Sequence, residues 1–155
     1  MKKIQITDTS GIEKIIENSG GICQLSLIEN NKPYCIPMNF GYKSGIFYFH
    51  GAPDGKKINA LKINPDVCLS IYSNAKLNIR HENVACSHSM NFKSLLAHGK
   101  IRFIEDLKEK CKAINIIMKN YTGRDNYEIS KPALSNVSVY YLEPEEITAF
   151  NRGCE

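Results

Sequence analysis

The segment Phe49-His50-Gly51-Ala52-Pro53-Asp54-Gly55-Lys56-Lys57 carries the strongest chemical signal in the chain. Its pattern predicts a strand, a Gly/Pro loop and then a helix that begins with two lysines. Lysines in the first turn are unfavourable, because the helix dipole places partial positive charge there. A bound anion would reverse that penalty, since exposed backbone N–H groups and ammonium groups both attract phosphate. The segment therefore predicts a phosphate site at Lys56 and Lys57, against the alternative of a solvated lysine pair beside an Asp54 cap.

Histidine and cysteine side chains offer two further kinds of chemistry. His50 closes the strand beside the predicted phosphate site, which makes it a candidate for ligand contact or proton transfer. The segment from His81 to His88 contains Cys86, and these are zinc-ligand types, but no second pair completes a set of four. We therefore predict no metal site. No dinucleotide fingerprint, P-loop or nucleophile elbow is present, and no local signature supports a cysteine nucleophile.

Composition limits the class of protein. The 155 residues are 43% hydrophobic and 23% charged, which predicts one globular domain over residues 1–155. The net charge of +4 fits an anionic small ligand, and without a basic stripe it gives no support for nucleic-acid binding. We expect no membrane span and no signal peptide, and hence a cytoplasmic location. The six cysteines form no CxxC pair and are expected to be small buried side chains in a reducing compartment.

Local patterns in the first third of the chain predict a helix followed by three strands. Ser10-Gly11-Ile12-Glu13 matches a capping box, so the helix is expected to begin there. Apolar and polar residues alternate from Cys23 to Leu27, and strands are expected from Tyr34 to Phe40 and from Ile46 to His50. Pro37 makes the middle strand an edge strand or locally irregular. Strands this close in sequence predict an antiparallel meander.

The remaining elements alternate between helices and strands. We predict helices over Asp54–Ile63 and Leu107–Tyr121, the second ended by Gly123, a polar loop over Asn74–Ser89, and strands over Val67–Ile71, Phe92–Ile104, Val137–Tyr141 and Ile147–Phe150. Gly99 marks a bulge or a close approach within its strand. About six strands with few helices predict a mainly β protein, a small antiparallel barrel with helices packed outside.

Aromatic residues cluster around the second and third predicted strands. They are Tyr34, Phe40, Phe47, Tyr48 and Phe49. They form either part of the barrel core or a wall for a flat aromatic ligand.

Several of these segments, in this order, resemble the pyridoxamine 5′-phosphate oxidase-like, FMN-binding split-barrel family, and in particular its nitroimidazole resistance branch. The matching segments are Pro33-Tyr34-Cys35-Ile36-Pro37-Met38-Asn39-Phe40, Ile46 to Ala52, Gly55-Lys56-Lys57 with Leu61, Asn64 to Cys68, Cys86 with Phe92-Lys93-Ser94-Leu95 and Gly99, and Leu142 to Thr148. The resemblance covers about Gly21 to Phe150.

The resemblance implies a six-stranded antiparallel split β-barrel that forms a homodimer with FMN in the interface. It implies that Lys56 and Lys57 meet the FMN phosphate and that the strand from Ile36 through Pro37 and Met38 to Asn39 runs along the flavin ring. Phe49 and His50 would flank the flavin. Ser94 would reach it from the partner subunit.

The implied activity is that of an FMN-dependent oxidoreductase acting on a small molecule, with nitroaromatics as one class. The chain has no Trp and lacks the C-terminal substrate segment of the true oxidases, so pyridoxamine phosphate is not the expected substrate. His50 is the expected catalytic residue, orienting substrate or supplying a proton. The alternatives are a non-catalytic flavin-binding protein, or a haem-binding split barrel with His50, His81, His88 or His98 as axial ligand. The substrate, the electron donor and a deazaflavin in place of FMN stay open.

Overall fold

The computed structural model describes residues 3–153, so Cys154 lies outside the described residues. Within them the chain is mainly β. The strands are β1 (Lys3–Ile6), β2 (Ile22–Glu29), β3 (Lys32–Asn39), β4 (Gly41–Lys43), β5 (Ile46–Gly51), β6 (Asp66–Ile79), β7 (His88–Ile104), β8 (Ser138–Leu142) and β9 (Glu146–Arg152). The helices are α1 (Thr9–Glu17), α2 (Lys56–Ile63), α3 (Leu107–Thr122) and α4 (Lys131–Ser135), with one 3₁₀ turn at Ala85–Ser87.

All strand pairs in this part of the chain are antiparallel. The main order is β3-β2-β6-β7-β8-β5-β4, and β9 pairs with both β7 and β1. β3 and β4 therefore lie at the two ends of the order. This is the predicted mainly β, antiparallel class, with nine strands in residues 3–153 in place of about six.

Strand β7 turns the sheet into a barrel by changing partners along its length. Its Phe92–His98 part pairs with β9, and its Ile101–Ile104 part pairs with β8. Gly99 lies between the two parts, and a Cβ there would stand 2.9 Å from Leu142 Cδ1. The predicted close approach at Gly99 is confirmed, because only a residue without a side chain lets β7 pass this corner.

The barrel interior is closed by large apolar side chains. Phe40, Phe47, Phe49 and Tyr140 are all 0% exposed. Phe49 and Tyr140 stack with ring centroids 5.6 Å apart. The phenylalanines of the aromatic cluster are therefore core residues, and the tyrosines Tyr34 and Tyr48 are half-buried at its edge.

The long amphipathic helix α3 agrees with its prediction at both ends. Asp106 accepts hydrogen bonds from the N–H groups of Lys108 and Glu109, which caps the first turn. Gly123 ends the helix in the left-handed region at φ 76°. The edge position of the Pro37 strand is also confirmed, since β3 pairs only with β2 among the described strands.

Two local predictions near the N-terminal half are wrong. The first helix begins at Thr9, and Asp8, not Ser10, caps it by accepting from the Gly11 N–H at 2.7 Å. The three early strands do not form one meander. β5 pairs with β8 and not with β3, because β2, β6, β7 and β8 lie between β3 and β5 in the sheet order.

The predicted loop over Asn74–Ser89 is also wrong over half of its length. β6 continues to Ile79 and β7 already begins at His88, so the two strands form a long hairpin beyond the barrel. A register shift between Ser73 and Lys76 carries the pairing past Asn74 and Ala75. Backbone pairing across the hairpin overrides the polar composition from which a loop is predicted.

The cysteines are less buried than the sequence predicts. Of the five described, Cys23 is buried, Cys68 and Cys111 are half-buried, and Cys35 and Cys86 are exposed. Burial raises the pKa of Cys23 to about 12, so this thiol stays protonated. None of the helices in residues 3–153 has the length and apolarity that crossing a membrane requires.

Candidate functional site

The N-terminus of α2 presents backbone N–H groups that no side chain caps. Gly55 is the N-cap residue at φ 122° and ψ 173°, a conformation that L side chains rarely adopt. The helix therefore begins at Lys56, and Asp54 is neither its first residue nor its cap. Uncapped N–H groups with positive dipole charge are an anion-binding arrangement.

Lys57 extends from this turn across the opening between β3 and β5. Its Nζ lies 3.2 Å from Met38 Sδ on β3, and a Cβ on Gly51 of β5 would stand 3.2 Å from the same Nζ. Among residues 3–153 no carboxylate forms an ion pair with it. Burial lowers the pKa of Lys57, because desolvation disfavours the charged ammonium. A phosphate is the partner that would offset this penalty.

Lys56 occupies a different environment on the outer side of the same turn. Its Nζ lies 3.3 Å from a carboxylate oxygen of Glu29 and 4.8 Å from the centroid of the Tyr34 ring. The Lys56 side chain is 59% exposed, so solvent weakens the ion pair and it contributes little to stability. The two lysines therefore differ in kind, since Lys57 supplies an unpaired charge and Lys56 supplies a charge already held in place.

Both lysines line one small cleft of about 260 Å³. Its other lining residues are Tyr34, Ile36, Ala52, Asp54, Gly55 and Ile58. The cleft combines two ammonium groups, uncapped backbone N–H groups, the Asp54 carboxylate and an apolar wall from β3. This composition fits the phosphate and the neighbouring carbon chain of an organic phosphate.

The strand segment predicted to run along a flavin ring lies on the open edge of the sheet. Ile36 is half-buried and Met38 is buried toward Lys57, whereas Pro37 and Asn39 are exposed on the other face. An edge strand leaves alternate backbone N–H and C=O groups unpaired. β3 can therefore offer backbone hydrogen bonds to the polar edge of a flat ligand.

His50 lies on β5 next to this opening, with its side chain exposed. Partial burial lowers its pKa, and the ammonium of Lys57 lowers it further. His50 is therefore a neutral imidazole at neutral pH and can accept a proton. The structure thus brings Ile36, Lys56 and Lys57 into one cleft and places Met38 against Lys57. His50 does not line this cleft, but it lies near enough to Lys57 for the ammonium to lower its pKa.

Two predicted residues lie elsewhere. The Phe49 side chain is fully buried against Tyr140, so only its backbone can face the opening. Ser94 is half-buried on β7, where it pairs with Tyr72 on β6 and Phe150 on β9. It does not line the cleft with Lys56 and Lys57.

Two residues at the site carry no sequence signal. Glu29 becomes a partner of Lys56 only because the β2–β3 turn folds toward α2. Tyr140 lies beneath Lys57, whose Nζ is 5.9 Å from the ring centroid. Its buried hydroxyl has no hydrogen-bond partner among the described residues, and burial raises its pKa. Only register across β5 and β8 places it there.

The histidines considered as metal or haem ligands are dispersed. His98 Nε2 lies 3.7 Å from Cys68 Sγ on the outer face of the sheet. His88 Nδ1 lies 3.1 Å from the carbonyl oxygen of Val84 in the hairpin. Residues 3–153 contain no group of three or more His, Cys, Asp or Glu side chains arranged to hold a metal ion.

Comparisons with known proteins agree with this architecture. The family model for pyridoxamine 5′-phosphate oxidase matches residues 8–151, and the chain belongs to that family. A solved structure of a candidate 5-nitroimidazole antibiotic resistance protein from Bacteroides thetaiotaomicron is 37% identical, with a TM-score of 0.83 over 97% of this chain and 89% of that one. No curated protein matches the chain significantly.

More distant solved structures share the fold. The flavocytochrome Anf3 from Azotobacter vinelandii is 19% identical, with a TM-score of 0.83 over 97% of this chain and 70% of that chain. A FAD-binding protein from Mesorhizobium loti is 16% identical, with a TM-score of 0.69 over 99% of this chain and 100% of that chain. The predicted family and the resemblance to its nitroimidazole resistance branch are thus confirmed.

Proposed function

We propose that the protein is a flavoprotein that binds FMN through the cleft at the N-terminus of α2. The observation that carries the proposal is Lys57: a half-buried ammonium at an uncapped helix N-terminus, with a thioether as its nearest polar partner. The names of structural relatives support it, since they include a flavocytochrome and a FAD-binding protein.

In this proposal the residues of the chain bind and orient the flavin. Lys56, Lys57 and the first N–H groups of α2 hold the phosphate, and the open edge of β3 from Ile36 to Asn39 faces the ring system. Phe49 contributes only its backbone. Bound flavin supplies the capacity to accept and pass on electrons.

We further propose an FMN-dependent reductase acting on a small molecule, with nitroaromatics as the first class to test. His50 is the proposed catalytic residue. Its lowered pKa keeps the imidazole neutral, so that its ring N–H can orient a substrate or donate a proton to it. The exposed position of His50 beside the opening gives substrate access to that nitrogen.

The proposal includes a homodimer that places the partner's sheet face against the flavin. Ser94 lies on the outer face of the sheet beside Tyr72 and close to Leu96, which are 60% and 39% exposed. Apolar side chains this exposed on a flat sheet face favour a protein partner. Ser94 can then approach the flavin bound by the other copy.

The first test is the visible absorbance spectrum of the purified protein, before and after desalting with added FMN. A two-banded flavin spectrum that survives desalting is the expected result. A protein that stays colourless with FMN would contradict the proposal. A Soret band would also contradict it and would indicate haem binding instead.

Variants then separate binding from catalysis. Lys57→Glu should lower FMN affinity more than 100-fold, because it replaces an attraction with a repulsion in a desolvated cleft. Lys112→Glu is the matched control, since Lys112 is exposed and ion-paired with Glu109 on α3.

His50→Ala should lower nitroaromatic turnover while FMN stays bound, and equal turnover would remove His50 from the mechanism.

The dimer is tested by the Leu96→Glu variant, which places a charge on the exposed sheet face. Light scattering should show a dimer for the native chain and a monomer for the variant. A native monomer that binds FMN would contradict the role proposed for Ser94.

A further inference from the structure

A row of side chains on the outer face of the sheet contains three groups of the kinds that bind metal ions. Strand register places Cys68 of β6 opposite His98 of β7, and His98 opposite Glu146 of β9. Residues directly opposite each other in antiparallel strands lie on the same face. The row faces away from the core, because its strand neighbours Val67 and Ala97 point into the core and are buried. Cys68, His98 and Glu146 do not line the α2 cleft.

Cys68 and His98 already stand at the separation that zinc requires. Cys68 Sγ lies 3.7 Å from His98 Nε2. Zinc binds cysteine sulfur at about 2.3 Å and histidine nitrogen at about 2.0–2.1 Å, so tetrahedral geometry separates the two ligand atoms by about 3.6 Å. Without a metal, a hydrogen bond between the thiol and the ring nitrogen holds the pair. A zinc ion can therefore enter between them with little movement of either side chain.

Glu146 can complete the set of protein ligands. It is exposed on β9, and no cation among the described residues forms an ion pair with it. The Cβ atoms of directly opposite residues are about 4.5–5.5 Å apart, which is within the reach of a glutamate side chain. Residues 3–153 hold no ready-made set of three such ligands, so the carboxylate has to rotate toward His98. Zinc accepts cysteine, histidine and carboxylate ligands, with water in an open fourth position.

The charges beside the pair do not oppose a cation. Lys100, two residues after His98, is ion-paired with Asp66, two residues before Cys68, so its positive charge is neutralised. Partial burial raises the pKa of Cys68, and the nearby Cys35 thiol raises it further. The Cys68 thiol is therefore protonated at neutral pH, and a zinc ion binds by displacing this proton and stabilising the thiolate.

We infer that Cys68, His98 and Glu146 form a zinc-binding site on the outer face of the sheet, with water as the fourth ligand. The ion joins β6, β7 and β9, which are distant in sequence. Bound zinc should therefore stabilise the folded chain, because the unfolded chain does not hold the three ligands together. The inference goes beyond the proposed flavin function and does not depend on it, since the two sites share no residue.

The test is a titration of the full chain with zinc chloride by isothermal titration calorimetry, with the cysteines kept reduced. The chain is used in its native assembly, because Leu96 of the proposed dimer face lies two residues before His98. One zinc ion per chain is expected. Cys68→Ser and His98→Ala should each lower zinc affinity at least about tenfold, and Glu146→Gln about threefold, since each removes a ligand. Circular dichroism verifies that the variants are folded.

Cys35→Ser is the matched control. Cys35 is exposed in the same row, but Ser26 of β2 lies between it and Cys68, so it is two strand spacings or about 9–10 Å away. Its loss should leave zinc affinity within twofold. Cobalt(II) in place of zinc gives a second readout, a thiolate-to-cobalt charge-transfer band. The band should persist in Cys35→Ser and disappear in Cys68→Ser.

Three results would overturn the inference. They are no zinc binding by the native chain, zinc binding that Cys68→Ser and His98→Ala leave unchanged, and a cobalt band that is lost in Cys35→Ser. None of them bears on the proposed flavin site, which the FMN spectrum tests separately.

Discussion

Two lysines beside the barrel are buried to different extents, and among the described residues only the more buried one donates to oxygen acceptors. Lys110 on α3 is 8% exposed and donates to the carbonyl oxygens of Leu134 and Val137, at 3.3 and 3.0 Å. Lys57 on α2 is half-buried and meets only the sulfur of Met38. The α3 lysine fastens α4 and the start of β8 to the barrel.

The comparison distinguishes a lysine that stabilises the fold from a lysine that is positioned to bind a ligand. A buried polar group is stable when the fold itself supplies its hydrogen bonds, as at Lys110. Where the fold buries a charged group without supplying oxygen acceptors, a bound ligand can supply them, as proposed for Lys57. The α3 region should therefore respond to mutation through stability, and the α2 region through ligand affinity.

The largest effect on stability is expected at Gly41, where β4 passes α3. A Cβ there would stand 2.7 Å from the backbone nitrogen and Cα of Ile117. Gly41→Ala should lower the free energy of unfolding by about 3 kcal/mol, since neither backbone can move freely. Urea denaturation measures it, with Gly45→Ala as control: its Cβ meets nothing within 4 Å, so it tests backbone strain alone. Equal losses at both glycines would show that α3 is not packed this closely.

The Lys110→Met variant should be the next most damaging. It leaves the carbonyl oxygens of Leu134 and Val137 without a donor, at a cost of about 2 kcal/mol in stability. Flavin affinity should change less than twofold. A large loss of flavin affinity in a folded variant would contradict the contrast between the two regions.

The Lys57→Met variant should show the opposite pattern. FMN affinity should fall about tenfold, because one charge-assisted contact to phosphate is lost. Stability of the flavin-free protein at neutral pH should not fall, since the folded state lowers the pKa of Lys57 and thus disfavours its charge. A destabilised flavin-free variant would make Lys57 a structural residue like Lys110.

The smallest effect is a shift in the titration of His50. Burial and Lys57 lower its pKa, so removal of the ammonium in Lys57→Met, or binding of phosphate beside it, should raise that pKa. Because the folded pKa lies below the unfolded one, His50 removes stability as pH falls from 6.5 through the folded pKa. NMR titration of the imidazole measures the pKa of His50 in the native chain, in Lys57→Met and with phosphate bound. An unchanged pKa in Lys57→Met would show that the Lys57 ammonium is too far from His50 to affect it.

Local sequence predicts much of the site, and what it fails to predict has a physical reason. The two lysines after Gly55 predict a cationic helix start that suits an anion, and the structure has this start without a side-chain cap, although the helix begins two residues after the predicted Asp54. The pattern does not show that Lys57 turns inward while Lys56 turns outward to Glu29. That choice depends on β3 lying beside α2, and no local rule contains this contact.

The same limit explains the errors in the fold. Polar residues after Ser73 predict a loop, yet the hairpin of β6 and β7 holds them in strands by cross-strand pairing. Pairing of β5 with β8 joins segments about 90 residues apart, which periodicity within either strand does not encode. The resemblance places Phe49 beside the flavin, and only the register of β5 shows its ring turned into the core.

The sequence by itself determined most of the element types, the edge strand at Pro37, the end of α3 at Gly123 and the cationic start of α2, because each depends on backbone preferences within a few residues. The tertiary structure alone decided which lysine is left without an acid and which face of β3 meets it. These features depend on which side chains are buried and which groups lie beside them. Both are determined only when strands distant in sequence pack together.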